Sequence, residues 1–185
     1  MDKWNIDSNT SHAEFDLRFL FFSHLHGQFT RITGSAYLDP GDPPHSFVEA
    51  EIDATSATTG DALRDTQLHS PLFLDTARYP SIVFASTALE LEGDDRARIT
   101  GNLTIRGITR QVVLEAHYSG PEENPEQDRL TMHLVARTTI DRGDFGITLE
   151  EAKELGSMIV GKEIQITLDV RLVSSFAASE VHARK

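Results

Sequence analysis

A chain of 185 residues, 39% hydrophobic and 25% charged, has the make-up of a globular domain large enough to bury a core and keep space inside it. Seventeen Lys and Arg against 29 Asp and Glu give a net charge of −12, which disfavours nucleic acid and anionic membrane as partners because phosphates repel it. Cysteine is absent, so disulfides, thiolate metal sites and thiol catalysis are excluded.

The chain begins Met1-Asp2-Lys3-Trp4-Asn5-Ile6-Asp7, without the basic segment and apolar run of a secretory signal. No apolar stretch has the length of a membrane-spanning helix. The expectation is a cytoplasmic protein with no stable membrane insertion, or a periplasmic one if a leader has been trimmed away.

Period-two alternation, the mark of half-buried strands, then dominates. Over residues 13–22, Phe15, Leu17, Phe19 and Phe21 share one face, and Glu14, Asp16 and Arg18 share the other. Residues 29–38 predict a second strand, and Pro40-Gly41-Asp42-Pro43-Pro44 a loop. Over residues 47–54, Val48, Ala50, Ile52 and Ala54 oppose Phe47, Glu49, Glu51 and Asp53. Residues 59–74 break the pattern, carrying Leu63, Leu68 and Leu72 among polar residues, and predict a helical turn or two. Strands are expected over 82–91, 96–105 and 111–118, with hairpin connections at Glu92-Gly93-Asp94-Asp95 and Arg106-Gly107-Ile108-Thr109.

Gly120-Pro121-Glu122-Glu123-Asn124-Pro125 reads as a loop. Residues 130–140 place Leu130, Met132, Leu134, Ala136 and Ile140 on one side of a further strand. Thr148-Leu149-Glu150-Glu151 fits a capping box, predicting a short helix that buries Ala152 and Leu155 and stops at Gly156. Ile164, Ile166, Leu168, Val170 and Leu172 alternate with polar residues in the last strand, and the polar tail, 174–185, is expected to fray. With no repeat or linker, one domain over 1–173 is expected. About eight strands joined by short loops pair antiparallel and can close, removing exposed edges. The fold class is therefore all-β: a closed antiparallel β-barrel with one or two short helices.

An apolar inward face serves a hollow barrel or a filled one equally well, so the pattern leaves both open. Met132 and Met158 suit either an adaptable cavity wall or core filling. Phe73 and Leu72 can gate a barrel mouth or simply anchor a loop. Arg64-Asp65 and Arg142-x-Asp144 pair opposite charges beside apolar residues, which most often fixes loops, although an arginine can also meet a ligand head group. His24-x-His26 has a spacing that can bind metal, but it precedes Gly27, and the default is an exposed pair at a strand end or turn with no metal. Asp144-Phe145-Gly146 and Arg142-Gly143-Asp144 match known triplets without their required contexts. A nucleophile elbow, a phosphate loop and a His-Glu-x-x-His helix are all missing, so no catalytic residues are expected and no enzyme is predicted.

Three ordered blocks resemble the YceI-like family of lipocalin-like, polyisoprenoid-binding proteins. The first comprises Thr58-Thr59-Gly60, Arg64-Asp65, Leu68, Ser70-Pro71-Leu72-Phe73, Tyr79-Pro80-Ser81-Ile82 and Phe84-Ala85-Ser86-Thr87. The second is Gly101-Asn102-Leu103-Thr104-Ile105-Arg106-Gly107-Ile108-Thr109, and the third Ile140-Asp141-Arg142-Gly143-Asp144-Phe145-Gly146-Ile147, followed by Val160-Gly161-Lys162-Glu163-Ile164. The chain departs from the family at Thr10-Ser11, where His-Ser is expected, and at Arg18-Phe19, where Lys-His is expected.

The resemblance implies a lipocalin-like barrel around an elongated tunnel that binds, sequesters or transports an isoprenoid, a polyprenyl quinone or a similar lipid. The expected lining is Phe15, Leu17, Phe19, Phe21, Phe73, Phe84, Leu103, Leu114, Met132, Leu134, Phe145 and Met158, with Arg64 and Arg142 as head-group contacts. No cofactor is expected beyond such a lipid, the partner is that small molecule and not nucleic acid, and a homodimer through an outer sheet face is compatible with the pattern. The alternative is an enzyme for a lipid-like substrate on the same scaffold, which requires Arg64, Asp65, Arg142 and Asp144 to converge inside the barrel. A third possibility is a stress or assembly protein whose ligand is structural.

Overall fold

The alternating segments form eleven strands in one continuous sheet, seen in a computed structural model that describes residues 2–19, 23–39, 41–124, 129–148 and 160–175. They are β1 (Asp2–Ile6), β2 (His12–Phe19), β3 (Ser23–Phe29), β4 (Ile32–Leu38), β5 (Phe47–Asp53), β6 (Ala57–Thr58), β7 (Ser81–Leu91), β8 (Arg96–Ile105), β9 (Ile108–Asn124), β10 (Arg129–Asp141) and β11 (Val160–Ser175). One helix, α1 (Ala62–His69), lies between β6 and β7.

Eleven strands reduce to eight staves. Strands β1 and β2 both run antiparallel to β11, with Ile6 opposite Leu172 and His12 opposite Asp169, so they are one stave interrupted at residues 7–11. The interruption costs little hydrogen bonding, because Asp7 N donates to Arg171 O at 2.8 Å and Arg171 N donates to Ser11 Oγ at 2.9 Å. Strands β3 and β4 form the next stave, pairing with β2 and β1 in turn. Strands β5 and β6 form the third, pairing with β4 and β3 around a 3-10 turn at Ala54–Ser56. Each stave lies beside its neighbours in sequence, and β11 returns to β1 and β2, closing an antiparallel barrel of eight staves.

Several expectations change. The apolar segment 29–38 is not one strand, since it breaks between β3 and β4, and β1 and β3 were not anticipated. His24 and His26 lie in the first half of β3, His24 one residue from its start, and the strand runs on through Gly27; both are exposed, and His26 Nδ1 lies 3.0 Å from Asp16 Oδ1. The expected loop at Gly120-Pro121 is part of β9: Ser119 pairs with His133 and Glu122 with Thr131, leaving both residues opposite Met132 in a bulge. A bulge tolerates proline, which has no N–H to give a ladder, and glycine, whose φ is +105° here. Strand β11 continues through Ser174 and Ser175, two residues beyond the point where the polar tail is expected to begin. The capping-box helix with Ala152 and Leu155 lies outside the described residues, as does the chain from 176 onward.

A second bulge explains the weak alternation of β7. Ser86 pairs with Gly101 and Ala88 with Thr100, so Thr87 is the extra residue. One inserted residue reverses the side-chain parity, and Ile82, Phe84, Leu89 and Leu91 all reach the interior. Helix α1 is started by Asp61, whose side chain accepts from Leu63 N and Arg64 N at 3.0 Å each. Leu68 is buried, whereas Leu63 is 81% exposed.

Candidate functional site: the barrel interior

Inward faces from all eight staves enclose a cavity of about 390 Å3, inside the range of small-molecule pockets. Phe15, Leu17, Phe73, Phe84, Leu103, Leu114, Met132, Leu134 and Phe145 line it, and so does Arg142. Phe21 and Met158 lie outside the described residues; Phe19 closes β2, and its side chain is not among those described. Arg64 is not on the cavity wall: it stands on the outer side of α1, 3.9 Å from Asp61. The expected set missed the contributions of β4, β5 and β11, including Ile32, Val48, Ile52, Ile164, Ile166 and Leu168. Their alternation was visible in sequence; what was hidden was that the entire inner face, not a few aromatic positions, borders one space.

That space distinguishes a hollow barrel from a filled one. Leu134, Ile164, Ile166 and Leu168 point inward yet are only half-buried, because part of their accessible surface is the cavity wall. The wall is almost entirely apolar, with Asp39, Ser46, Thr138 and Arg142 as its hydrophilic side chains and Tyr118 adding a phenol. Ile164 to Leu172 alone extends the lining by about 26 Å along β11 at the ordinary strand rise.

Two glycines hold phenylalanine rings against the wall. A Cβ on Gly27 would meet Phe15 Cζ at 2.2 Å, and one on Gly101 would meet Phe84 Cζ at 2.5 Å and Ala85 O at 2.6 Å. Phe15 also contacts Phe29, with ring centroids 5.4 Å apart. At Gly27 the obstacle is a side chain that can swing into the lumen; at Gly101 it includes backbone. Gly101→Ala is therefore expected to lower stability by about 1–3 kcal/mol. Gly27→Ala is expected to narrow the lumen at smaller cost. Thermal unfolding of both variants, with a lipid-binding titration, separates the two effects.

The lower end of the barrel, where β8 turns into β9, is covered by α1, the segment after it, and the 3-10 turn Arg142–Phe145. Leu68, Leu74, Phe145 and Ile147 are buried there. Arg142 Nε donates to Gly161 O at 2.9 Å and its Nη1 donates to Ile147 O, joining the 3-10 turn to the start of β11. Burial pushes the guanidinium pKa down from its ordinary value, opposed by the Asp141 charge. Asp144 is exposed and does not accompany Arg142 into the cavity.

Arg64 and Asp65 likewise part company, because successive helical residues point in different directions. Asp65 turns to β6 and accepts from Thr58 Oγ1, Thr59 Oγ1 and Thr59 N, each at 2.7 Å. Desolvation pushes the Asp65 pKa up, but these hydrogen bonds outweigh it, holding the carboxyl below its usual range. A lowered folded pKa contributes stability that is complete above the unfolded value of about 4 and fades as pH falls through the folded one. Asp65→Asn is expected to cost about 1 kcal/mol at pH 7, discounted for partial exposure, and to flatten the acid limb of a stability-versus-pH curve below pH of about 4. Equal slopes for variant and parent would remove the clamp from the account.

Of the four side chains that an enzymatic reading needed to bring together, Arg142 alone reaches the cavity. Among the described residues, no three His, Asp or Glu side chains are placed to hold a metal ion.

Residues 4–172 match the YceI-like domain family. A UPF0312 protein from Pseudomonas savastanoi pv. phaseolicola is 33% identical over 144 residues, covering 77% of this chain and 74% of its own. Protein YceI from Salmonella newport is 37% identical over 150 residues, covering 80% and 78%. Among solved structures, Burkholderia cenocepacia BcnA superposes with a TM-score of 0.77 at 23% identity, over 92% of this chain and 99% of that one. A polyisoprenoid binding domain from Saccharophagus degradans, implicated in plant cell wall breakdown, superposes with a TM-score of 0.69 at 13% identity, over 94% and 99%.

Proposed function

The chain belongs to the YceI-like family, and we propose that it binds a long apolar molecule, an isoprenoid chain or a similar lipid, within its barrel and sequesters or transports it. The observation that carries this reading is the continuous apolar cavity of about 390 Å3 running through the barrel. Such a space favours a flexible hydrocarbon, since each methylene taken from water contributes about 0.8 kcal/mol without requiring a directional contact. The half-buried aliphatic side chains of β10 and β11 supply that surface, and Met132 supplies an adaptable one. The polyisoprenoid-binding description of the structurally similar Saccharophagus domain supports the choice of ligand class.

The reading is tested by extracting the purified protein with organic solvent and analysing the extract by mass spectrometry beside a matched control protein. Delipidated protein is then titrated with a polyprenyl alcohol. A stoichiometric isoprenoid, or saturable uptake of the alcohol, is the expected result. An empty extract together with no uptake would end the proposal.

A further inference from the structure

The two ends of the cavity are unlike. At the lower end the wall residues Leu68, Leu74, Ile105, Phe145 and Ile147 are all buried, and Arg142 donates to the Gly161 and Ile147 carbonyls. At the upper end the lining reaches solvent, for Leu91 is 46% exposed and Pro121 is exposed. Among the described residues, 2–3, 39, 41–46, 92–98, 122–124 and Arg129 flank the strand ends at this upper mouth. Among the described residues, these segments carry eight carboxylates and four Lys or Arg side chains. Asp39 is on the cavity wall itself. Within the ring, Glu92 lies 3.3 Å from Arg98 and Asp42 lies 2.6 Å from His45, while Asp94, Asp95, Glu122 and Glu123 are exposed.

We propose that the lipid enters tail-first through this upper mouth and that the acidic ring selects an uncharged head group, an alcohol or a quinone, against a phosphorylated one. The proposal rests on the lipid-binding reading and adds an orientation and a selectivity to it. A chain inserted from the open end leaves its head at the mouth, within a Debye length of about 8 Å of the ring at physiological salt. A diphosphate there meets a surplus of like charge, whereas a neutral head does not. Head-first insertion would instead carry the charged group past an apolar wall to a closed end, at a large desolvation cost.

The test uses delipidated full-length protein and two ligands with one tail, geranylgeraniol and geranylgeranyl diphosphate, titrated at low and high salt. The alcohol is expected to bind at least about tenfold more tightly at low salt, and the gap to shrink as salt rises. A variant combining Asp94→Lys, Asp95→Lys and Glu122→Lys, all at exposed positions, is expected to close the gap while leaving the affinity for the alcohol unchanged. Equal or tighter binding of the diphosphate overturns the selectivity and leaves the cavity reading standing. So does a gap insensitive to both salt and ring charge. If neither ligand binds, the lipid-binding reading itself falls, and the selectivity with it.

Discussion

Leu134→Trp is expected to leave the barrel folded and close to empty. Leu134 lies in β10 between Tyr118 of β9 and Val170 of β11, and all three line the cavity. In a filled core, enlarging leucine to tryptophan strains its neighbours by about 1–3 kcal/mol. Here the added ring has a void to enter, so stability should change by less than about 1 kcal/mol, which for a domain of this size moves Tm by no more than about 2–4 °C. The same ring occupies volume that a lipid tail needs, and uptake of a polyprenyl alcohol should fall at least about tenfold. Calorimetric unfolding and ligand titration on the same preparation check both halves. A drop in Tm of many degrees with uptake intact would mean that Leu134 packs against protein and not against a binding space.

Arg142→Ala is expected to have the largest effect on stability. Its guanidinium links the carbonyl of Ile147, just after the 3-10 turn, to the carbonyl of Gly161, one residue into β11. Truncation leaves both acceptors without this donor in a partly buried setting, each costing about 1–3 kcal/mol when unsatisfied. Allowing for some access of water, the total is about 2–3 kcal/mol, or a fall of about 1 M in the urea midpoint at an m-value of about 2 kcal/mol/M. Arg142→Lys should recover less than half of this, because an ammonium lacks the planar fork that reaches two carbonyls at once. Uptake of neutral lipid should survive in the lysine variant if Arg142 acts as a brace. Loss of lipid uptake in Arg142→Lys at unchanged stability would place the guanidinium against the ligand instead.

Sequence alone established a good deal of this protein. Alternation over 13–22, 47–54 and 164–172 identified strands and the residues that share each face, because the strand period of two assigns each residue a side without reference to its neighbours; the strands described there are His12–Phe19, Phe47–Asp53 and Val160–Ser175. Antiparallel closure followed from short, turn-rich connections. Three ordered blocks pointed to the family to which the chain belongs. What sequence could not specify were features that depend on the partner strand. Gly120-Pro121 looks like a loop until Met132 is seen opposite it, and Thr87 is indistinguishable from any strand residue until Gly101 and Thr100 define the bulge.

The charged pairs show the same limit. Arg64 beside Asp65, and Arg142 near Asp144, suggested ion pairs by proximity in sequence. Helical geometry and the 3-10 turn send the members of each pair to different partners: Asp65 to Thr58 and Thr59, and Arg142 to the backbone carbonyls of Ile147 and Gly161. Hollowness, too, was decided by tertiary structure. An apolar inner face is equally compatible with a filled barrel and an empty one. The difference lies in whether opposing walls touch, which depends on the number of staves, their closure, and glycines such as Gly27 that let Phe15 lie flat. Periodicity is a local property of the chain and was legible in it; the distance across the barrel is a collective property of eight staves, and only their closure sets it.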